Sequence, residues 1–329
     1  MNIPNSFTVV STFSGCGGSS LGYQLAGGKV RLAVECDDNA VETYGMNFPD
    51  TPIYHGDIAK LSVDECCKLS GVEPGELDIL DGSPPCQGFS IAGKRDFGDD
   101  RNQLFREYVR LLRGLRPKAF VMENVSGMVK GSMKLIFAEC LRELKASGYK
   151  VTARLLNAMY FNVPQSRQRL IFIGVRDDLG IEPGHPSAQA KPMTVREAIG
   201  HLPLGEPGQH QPQVLSAWHK SKPGQALRKA VQSVGTFQSC RLDPDRPSTT
   251  QIKTHRNWHY AVPRQLTNTE AAILGSFPPD YKWVGGKSKI QQRIGNSVPP
   301  NFMRAIAEHI NENILQRMKD IDLEPKLVT

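Results

Sequence analysis

A cysteine that follows two prolines is the feature of this sequence that points most directly to chemistry. Cys86 stands in residues 82–90 (GSPPCQGFS), directly after an apolar stretch that ends at Asp81. The prolines stiffen the chain, and a thiol held at the end of a strand can attack a ligand as a nucleophile. A free cysteine more often fills apolar space, but that alternative suits Cys66 and Cys140, which lie on helical patterns. The pattern therefore predicts that Cys86 is a catalytic nucleophile.

A carboxylate and two arginines are predicted to lie near this thiol. Glu123 ends an apolar run (AFVME), so burial would raise its pKa toward acid and base use. Arg167 and Arg169 lie two residues apart in residues 165–169 (QSRQR), before or entering a strand, so we expect both to point the same way. Surface arginines usually contribute little, but these would lie beside the thiol and the carboxylate. We therefore assign Glu123, Arg167 and Arg169 to the catalytic site.

A glycine-rich turn predicts a nucleoside-binding site. Residues 13–18 (FSGCGG) follow the first apolar strand, and glycines there let the backbone approach a ligand. Glu35, at the end of the second predicted strand, can accept hydrogen bonds from both hydroxyls of a ribose. The spacing is G-x-G-G, so the dinucleotide fingerprint is not met, which disfavours a nicotinamide-dependent oxidoreductase. The alternative is a turn that only lets a helix pack tightly.

Asp57 is a second acid at a strand end. It lies in residues 55–58 (HGDI) after a short predicted strand near Ile53. Its carboxylate could accept a hydrogen bond from an exocyclic amine such as that of adenine. It could equally cap the N-terminus of the turn that follows.

Alternating strands and helices would position these residues. Patterns of apolar residues predict strands at 7–13, 30–35, 77–81, 119–123, 151–156 and 170–175 and helices at 19–26, 38–47, 63–70, 102–115 and 134–147. This alternation predicts an α/β fold with a doubly wound, mostly parallel sheet, whose ligands bind at the carboxyl ends of the strands.

A second, smaller, loop-rich domain is predicted from residue 184 to 285. Periodicity fades from residue 177 to about 260, whereas residues 299–318 are again helical, with an apolar residue every four positions. We expect that helix to pack on the first domain. The predicted catalytic and cofactor-binding domain is thus 1–183, completed by 286–329.

Basic charge is concentrated in the same segment. Residues 184–285 hold 12 Lys and Arg against 6 Asp and Glu, whereas the whole chain has a net charge of +7. They also hold 11 of the 23 prolines and 6 of the 8 histidines. A basic segment on a near-neutral body favours a polyanionic partner. An ordinary solvated basic face is the alternative.

Composition predicts a cytoplasmic protein with no membrane or metal partner, and we expect it to be a monomer. No run approaches the roughly 18 apolar residues that a membrane span needs, and residues 1–10 lack the pattern of a secretory signal. Seven cysteines form no C-x-x-C pair, which fits reduced thiols better than disulfides or a zinc site.

With these motifs the chain resembles the DNA (cytosine-5) methyltransferases. The resemblance covers residues 13–22, 82–90, 123–125, 165–169 and 292–298, in family order and at family-like spacing. It implies a class I methyltransferase fold that uses S-adenosylmethionine and releases S-adenosylhomocysteine. It also implies a large catalytic domain, a small target-recognition domain and double-stranded DNA in the cleft between them.

The resemblance implies a role for each matching position. Cofactor contacts fall on Phe13, Ser14, Gly15, Gly17, Gly18, Glu35, Cys36, Asp57, Ile58, Pro85, Leu104, Asn296 and Ser297. Cys86 falls on the nucleophile, Glu123 and Arg169 on the residues that hold the target cytosine, and Gln87, Ser90 and Arg101 on the loop that closes over DNA. Cys36 replaces an aromatic residue that stacks on adenine in many relatives, so we expect the stacking to come from elsewhere, with Phe13 as the candidate.

The implied chemistry agrees with the residue types. Cytosine C5 is too weak a nucleophile to take a methyl group, but addition of the Cys86 thiolate at C6 makes C5 a good one. Glu123 would hydrogen-bond N3 and N4, and Arg169 would orient the base and Glu123. C5 and C6 are inaccessible in a stacked duplex, so the cytosine must be flipped out.

Two further alternatives remain. A tRNA cytosine methyltransferase shares almost every motif, but residues 88–93 (GFSIAG) and the long basic segment favour the DNA branch. A non-catalytic DNA-binding relative would be expected to lack Cys86 or Glu123, and both are present. A cognate restriction endonuclease, acting separately, is an expected partner.

Overall fold

The structure is a computed structural model that describes residues 6–85, 100–131, 133–230 and 239–323. The predicted site residues Cys86, Gln87 and Ser90 lie outside the described residues, as does the side chain of Arg101. The chain divides into two compact units. The first comprises Met1–Leu156, Gln168–Ser187 and Met303–Thr329, and the second comprises Asn157–Arg167 and Ala188–Phe302.

Eleven strands form among the described residues. They are β1 (Phe7–Thr12), β2 (Gly28–Glu35), β3 (Ile53–His55), β4 (Ile79–Gly82), β5 (Ala119–Val125), β6 (Tyr149–Asn157), β7 (Gln165–Ser166), β8 (Gln168–Arg176), β9 (Cys240–Arg241), β10 (Ser248–Thr249) and β11 (Asn257–Trp258).

The described helices alternate with the strands in the first half of the chain. They are α1 (Gly18–Leu25), α2 (Asp38–Asn47), α3 (Val63–Ser70), α4 (Asp100–Leu115), α5 (Met133–Lys145), α6 (Val195–Ile199), α7 (Pro212–Lys220), α8 (Leu227–Ala230), α9 (Asn268–Leu274), α10 (Lys287–Asn296), α11 (Pro300–Ile310) and α12 (Gln316–Leu323). A π-helical segment, Asn311–Leu315, joins the last two.

The first unit is built on a seven-stranded sheet in the order β3-β2-β1-β4-β5-β8-β6. The neighbouring pairs from β3 to β5 are parallel, and β8 runs antiparallel to β5. The predicted mostly parallel α/β sheet is confirmed. Because parallel strands end at one edge, the segments after β1, β2, β4 and β5 emerge together there.

The patterns of apolar residues explain why these elements form. Strand β5 is buried from Ala119 to Asn124, as expected for a central strand covered on both faces. Helix α4 buries Phe105, Tyr108, Val109 and Leu112, whose spacing of three and four residues places them on one face. These four side chains join one hydrophobic core with residues of β1, β2, β4 and β5.

The second unit has short elements and a partly charged interior. Strand β7 pairs with β10 and β9 pairs with β11, each over two residues. Two small hydrophobic clusters, one around Leu242 and Leu274 and one around Trp218, supply its apolar core. Beside them, buried Arg264 donates two hydrogen bonds of 2.8 Å to the carboxylate of Glu270. This ion pair holds the interior of the unit together where long apolar runs are few.

None of the helices in the described part of the chain has the length and apolar character that a membrane crossing requires.

The contact between Gly174 and Phe120 yields a prediction about stability. The two residues are directly paired on β8 and β5, and a methyl group on Gly174 would overlap the ring of Phe120. We expect Gly174→Ala to lower the free energy of unfolding by about 1–3 kcal/mol, because a packed core must shift to admit it. Denaturant unfolding measures this change.

Gly127→Ala is the matched control. Gly127 lies in the same unit with no heavy atom near the added methyl group, so its free energy of unfolding should stay within about 0.5 kcal/mol of the wild-type value. Equal effects of the two substitutions would contradict the packing argument.

Candidate active site

The glycine-rich turn adopts a backbone that glycine favours. Strand β1 ends at Thr12, and Phe13, Gly15 and Gly17 then have φ values of 55°, 56° and 95°. Left-handed φ is accessible to glycine but costly for other residues, so Phe13 is a strained position. The ring of Phe13 packs against the hydrophobic core of the first unit. The turn therefore has a fixed shape at the carboxyl edge of the sheet.

Glu35 binds this turn to the end of β2. Its Oε2 accepts a hydrogen bond of 2.8 Å from the Gly15 N–H, and its Oε1 accepts from the N–H groups of Cys36 and Asp37 at 2.8 and 2.9 Å. A carboxylate has about four acceptor sites, so roughly one remains for a ligand hydroxyl. Partial burial and the neighbouring Glu35 raise the pKa of the Cys36 thiol above its usual range, which favours the protonated thiol at neutral pH.

Asp57 takes the capping role that the sequence left open. Its Oδ1 accepts a hydrogen bond of 3.0 Å from the Ala59 N–H at the start of a short 3₁₀ helix. The carboxylate is nonetheless exposed, whereas the side chain of Ile58 is buried in the core. Ile58 is only 4% exposed, so most of its side chain contacts the core.

The approach to Cys86 is fixed by Asn124. The Nδ2 of Asn124 donates a hydrogen bond of 3.3 Å to the carbonyl oxygen of Pro84, and its Oδ1 accepts from the Val125 N–H at 2.9 Å. Pro84 is buried and Pro85 is exposed, so the described chain reaches the surface just before Cys86. Only its position directly after Glu123 could have pointed to this role of Asn124 in advance.

Glu123 and Arg169 form an ion pair at the same edge. The Arg169 Nε lies 2.7 Å from the Glu123 Oε1, and the two side chains are only 14% and 10% exposed. Residues Val125 and Arg169 are directly paired between β5 and β8. Glu123 lies two residues from Val125 and so on the same face of the sheet, which explains the contact. A charge-assisted pair in this position can orient a polar ligand.

Arg167 does not share the direction of Arg169, and this expectation is wrong. Its side chain is 2% exposed, and its guanidinium donates hydrogen bonds of 2.9 and 3.0 Å to the carbonyl oxygens of Gln251 and Gly295 in the second unit. Strand β7 ends before Arg167 and pairs with β10, whereas β8 begins after it and pairs with β5. Alternation holds only within one continuous strand, so the change of partner redirects the side chain.

Three glutamines complete the network around Arg167. Gln165 accepts a hydrogen bond of 2.9 Å from the Gln251 N–H and donates one of 3.1 Å to the Leu274 carbonyl oxygen. Gln291 donates one of 2.8 Å to the Ile252 carbonyl oxygen. Gln251 and Gln291 lie in no motif that predicts this role, although glutamines that alternate with arginines at 165–169 are a weak sign of a polar network.

The remaining predicted positions lie in both units. Leu104, on α4, is half-buried and packs against the core of the first unit. Asn296 and Ser297 end α10 in the second unit, where Asn296 is exposed and the Ser297 hydroxyl donates to the Arg293 carbonyl oxygen at 2.9 Å. Gly295 lies so close to the backbone of Ile252 that no side chain would fit. The first unit therefore groups the glycine-rich turn, Glu35, Asp57, Pro84 and the Glu123–Arg169 pair.

Comparisons with known proteins show which family the chain is similar to. The family described as C-5 cytosine-specific DNA methylase matches residues 7–312. Type II methyltransferase M1.HphI of Haemophilus parahaemolyticus is 38% identical over 93% of this chain and 87% of the relative, and M.XorII of Xanthomonas oryzae is 31% identical over 92% and 84%. A solved structure, described as a DNA modification methyltransferase encoded within a prophage (E. coli), has a TM-score of 0.81 at 25% identity over 94% of this chain and 99% of that one.

The buried environment of Arg167 predicts a structural effect. We expect Arg167→Met to lower the free energy of unfolding by about 3 kcal/mol or more, because two buried carbonyl oxygens lose charged donors. Thermal or denaturant unfolding measures the loss.

Arg196→Met is the control for the loss of an arginine in the same unit. Arg196 pairs with Asp245 at 3.0 Å, but both side chains are more than half exposed. The control should change the free energy of unfolding by less than about 1 kcal/mol. An Arg167 variant as stable as the control would show that the network is dispensable.

Proposed function

This chain belongs to the C-5 cytosine-specific DNA methylase family, and we propose that it transfers a methyl group from S-adenosylmethionine to C5 of a flipped-out cytosine in a specific duplex sequence. Cytosine-5 DNA methylation is the activity of the family, and the covalent thiol mechanism is a general property of it.

One observation carries the assignment. The Glu123–Arg169 pair lies at the edge of the sheet where the buried Pro84 leads the chain to Cys86. The segment that leads to the Cys86 thiol thus reaches the edge that carries the Glu123 carboxylate and the Arg169 guanidinium. These groups suit a substrate ring that needs a nucleophile at one atom and polar contacts along its edge.

The methyl donor fits the glycine-rich turn and Glu35. The backbone of Phe13, Gly15 and Gly17 forms a fixed turn beside a carboxylate with an acceptor site to spare. When bound, S-adenosylmethionine supplies an electrophilic methyl group. We infer that Glu35 accepts a hydrogen bond from a ribose hydroxyl and that the turn lets the donor approach the backbone. Exposed Asp57 would accept from the adenine amine.

The chain's own residues account for the activation of cytosine. The Cys86 thiolate forms a bond to C6, and the electron pair of the C5–C6 double bond becomes available at C5, which takes the methyl group. Glu123, as the carboxylic acid, donates a hydrogen bond to N3 and accepts one from the N4 amino group, which relieves the negative charge that develops on the ring, while Arg169 holds the Glu123 carboxyl group in place. Loss of the C5 proton to water then allows the Cys86–C6 bond to break and restores the aromatic ring and the thiolate.

Duplex DNA is the proposed substrate, and the second unit is the proposed reader. Its basic residues include several exposed ones on and beside α7 and α8, namely Lys220, Lys222, Arg228 and Lys229. Lysine and arginine contacts to phosphates position a protein on DNA, and a few side chains on base edges specify the sequence. Arg101, Gln87 and Ser90 are proposed to contact DNA beside the flipped base.

Restriction-modification relatives suggest the cellular role. Because the curated relatives are named Type II methyltransferases, we infer that a cognate endonuclease cuts the same sequence and acts separately. We expect the methyltransferase to act as a monomer on DNA in the cytoplasm. Protection of methylated DNA from a neighbouring endonuclease would test the pairing.

Replacing the nucleophile tests the mechanism directly. We expect Cys86→Ser to lower methyl transfer by about 10³-fold or more, since a hydroxyl is far less nucleophilic than a thiolate. Affinity for the methyl donor should stay within about threefold of wild type, since Cys86 lies outside the glycine-rich turn. Transfer of labelled methyl groups to duplex DNA and equilibrium binding measure the two quantities.

A trapped complex provides the complementary readout. Fluorine at C5 cannot leave as a proton, so wild-type enzyme should form a denaturant-resistant, donor-dependent complex with duplexes containing 5-fluorocytosine, and Cys86→Ser should not. Near-normal methylation by the serine variant would refute the mechanism. Methyl transfer to tRNA in place of duplex DNA would refute the substrate.

The basic segment is expected to determine which sequence is modified. Exchange of residues 177–260 for the matching segment of a relative should change the methylated sequence while cytosine C5 remains the target. DNA binding should weaken steeply with salt through counterion release, whereas donor binding should not. Methylation-sensitive sequencing and a salt titration of both ligands measure these properties.

The intact enzyme and the relative that donates the segment are the controls for the exchange. An active chimera that still methylates the original sequence would show that recognition resides in the first unit, and the argument from charge would then be wrong.

A further inference from the structure

Asp81 is a buried carboxyl group that the assignments above do not use. It lies on β4 between β1 and β5, and the residue is 2% exposed. Its Oδ2 accepts a hydrogen bond of 3.0 Å from the Ser11 hydroxyl, and its Oδ1 accepts one of 3.2 Å from the Tyr23 hydroxyl. No arginine, lysine or histidine in the described part of the chain forms an ion pair with it. A buried carboxyl group held only by hydroxyls needs an explanation, because its burial costs free energy.

The two hydroxyls connect elements with separate tasks. Tyr23 lies on α1, the helix that begins at Gly18 directly after the glycine-rich turn, and its side chain is fully buried. Strand β4 leads through Pro84 and Pro85 toward Cys86. Asp81 therefore links the helix behind the turn to the strand behind the nucleophile. The Thr12 hydroxyl adds a second tie at the end of β1, since it donates to the Asp81 carbonyl oxygen at 2.9 Å.

Among the described residues, the titratable groups that interact electrostatically with Asp81 are acidic or phenolic. They are Tyr23 on α1, Tyr44 on α2, Tyr108 on α4 and Glu123 on β5. Burial raises the pKa of Asp81 to about 7, the nearby Glu123 adds to the increase, and the hydrogen bonds from Ser11 and Tyr23 oppose it. Asp81 and Glu123 lie on the same face of adjacent strands, because Asp81 pairs with Val121, two residues before Glu123.

We propose that Asp81 is a positioning residue for the site of the methyl donor. Asp81 holds α1 and the glycine-rich turn before it against β4, the strand that leads to Cys86. The inference rests on the proposed function and adds a residue to it. An ionised Asp81 accepts a charge-assisted hydrogen bond from each of the two hydroxyl groups. A protonated Asp81 must use one oxygen as a donor and therefore holds α1 less firmly.

Stability and donor affinity should consequently respond to pH in opposite directions. The pKa of Asp81 is about 7 in the folded protein and 3.8 without perturbation, so the folded state binds the proton more tightly in that interval. The free energy of unfolding of the wild type should therefore fall, relative to Asp81→Asn, as pH rises from about 4 to 7. The affinity for the donor should instead rise as Asp81 ionises between about pH 6 and 8.

The test measures binding of S-adenosylhomocysteine, which needs no turnover. We expect Asp81→Asn and Tyr23→Phe each to weaken binding about fivefold at pH 8, as for the loss of one hydrogen bond, and the double variant to bind no worse than either single variant. Tyr23→Phe keeps the buried ring, so it remains informative if Asp81→Asn folds poorly. In turnover, the KM for the donor should rise while the KM for DNA stays unchanged.

Asp78→Asn is the matched control at the other end of the same strands. Asp78 accepts hydrogen bonds from the Thr8 N–H and hydroxyl and from Lys118, at 2.7–2.9 Å. This substitution should lower stability but leave donor affinity within twofold and its pH dependence intact.

Two results would overturn the role of Asp81. The first is an affinity for S-adenosylhomocysteine that is unchanged in Asp81→Asn and Tyr23→Phe. The second is a wild-type affinity that decreases as pH rises, in parallel with the free energy of unfolding, as a purely structural role requires. Failure of the wild type to bind S-adenosylhomocysteine or to trap 5-fluorocytosine DNA would instead refute the proposed function.

Discussion

The reversed direction of β8 determines which side chains can meet at the active edge. Parallel strands deliver the glycine-rich turn, Glu35 and Glu123 there from their carboxyl ends, whereas β8 is antiparallel and delivers its amino end. Arg169 is the second residue of β8, so this reversal places it beside Glu123. In a parallel β8 of nine residues, Arg169 would lie roughly 25 Å away at the opposite edge. Glu123 would then be a nearly buried carboxylate without a counter-charge, which is strongly unfavourable.

The elements with long apolar patterns could be predicted from the sequence because their pattern is local. Strand β5 is a continuous apolar run, and α4 repeats apolar residues at helical spacing, so both were predicted to within a few residues. Strands β7, β9, β10 and β11 are two residues long, which is too short to show the alternation of apolar and polar residues that identifies a strand in a sequence. They exist because distant segments supply their partners, as when β10 pairs with β7 across more than 80 residues of chain.

Arg167 and Asp81 show why the site could be predicted only in part. The i to i+2 rule placed Arg167 beside Arg169, but the chain changes strand partner at Arg167, and no residue type marks that change. Asp81 ends an apolar strand, where a carboxylate would ordinarily face solvent. It is buried instead because Tyr23, from a helix 58 residues earlier, and Ser11 provide hydroxyls at that depth. Residue types thus predict which side chains can take part in chemistry. Long-range contacts determine the neighbours of each of these side chains, and a local pattern does not show them.

Burial also divides the basic charge of the second unit into two classes. Arg264 is enclosed with Glu270, and Arg241 packs over the ring of Trp218 while it donates to the carbonyl oxygens of Ser221 and Tyr260. These guanidiniums hold short loops together where apolar residues are few, and they have little charge to offer a phosphate. Lys220, Lys222, Arg228 and Lys229 are exposed.

The count of basic residues in 184–285 therefore overstates the charge available to a polyanion. A segment that reads DNA has to differ between relatives, whereas its scaffold has to persist. If the second unit reads DNA as proposed, its scaffold lies in buried arginine contacts and its recognition charge on short exposed helices, so the exposed residues can change without unfolding the scaffold. The number of phosphates that the enzyme neutralises should accordingly follow the exposed lysines and arginines and not the total.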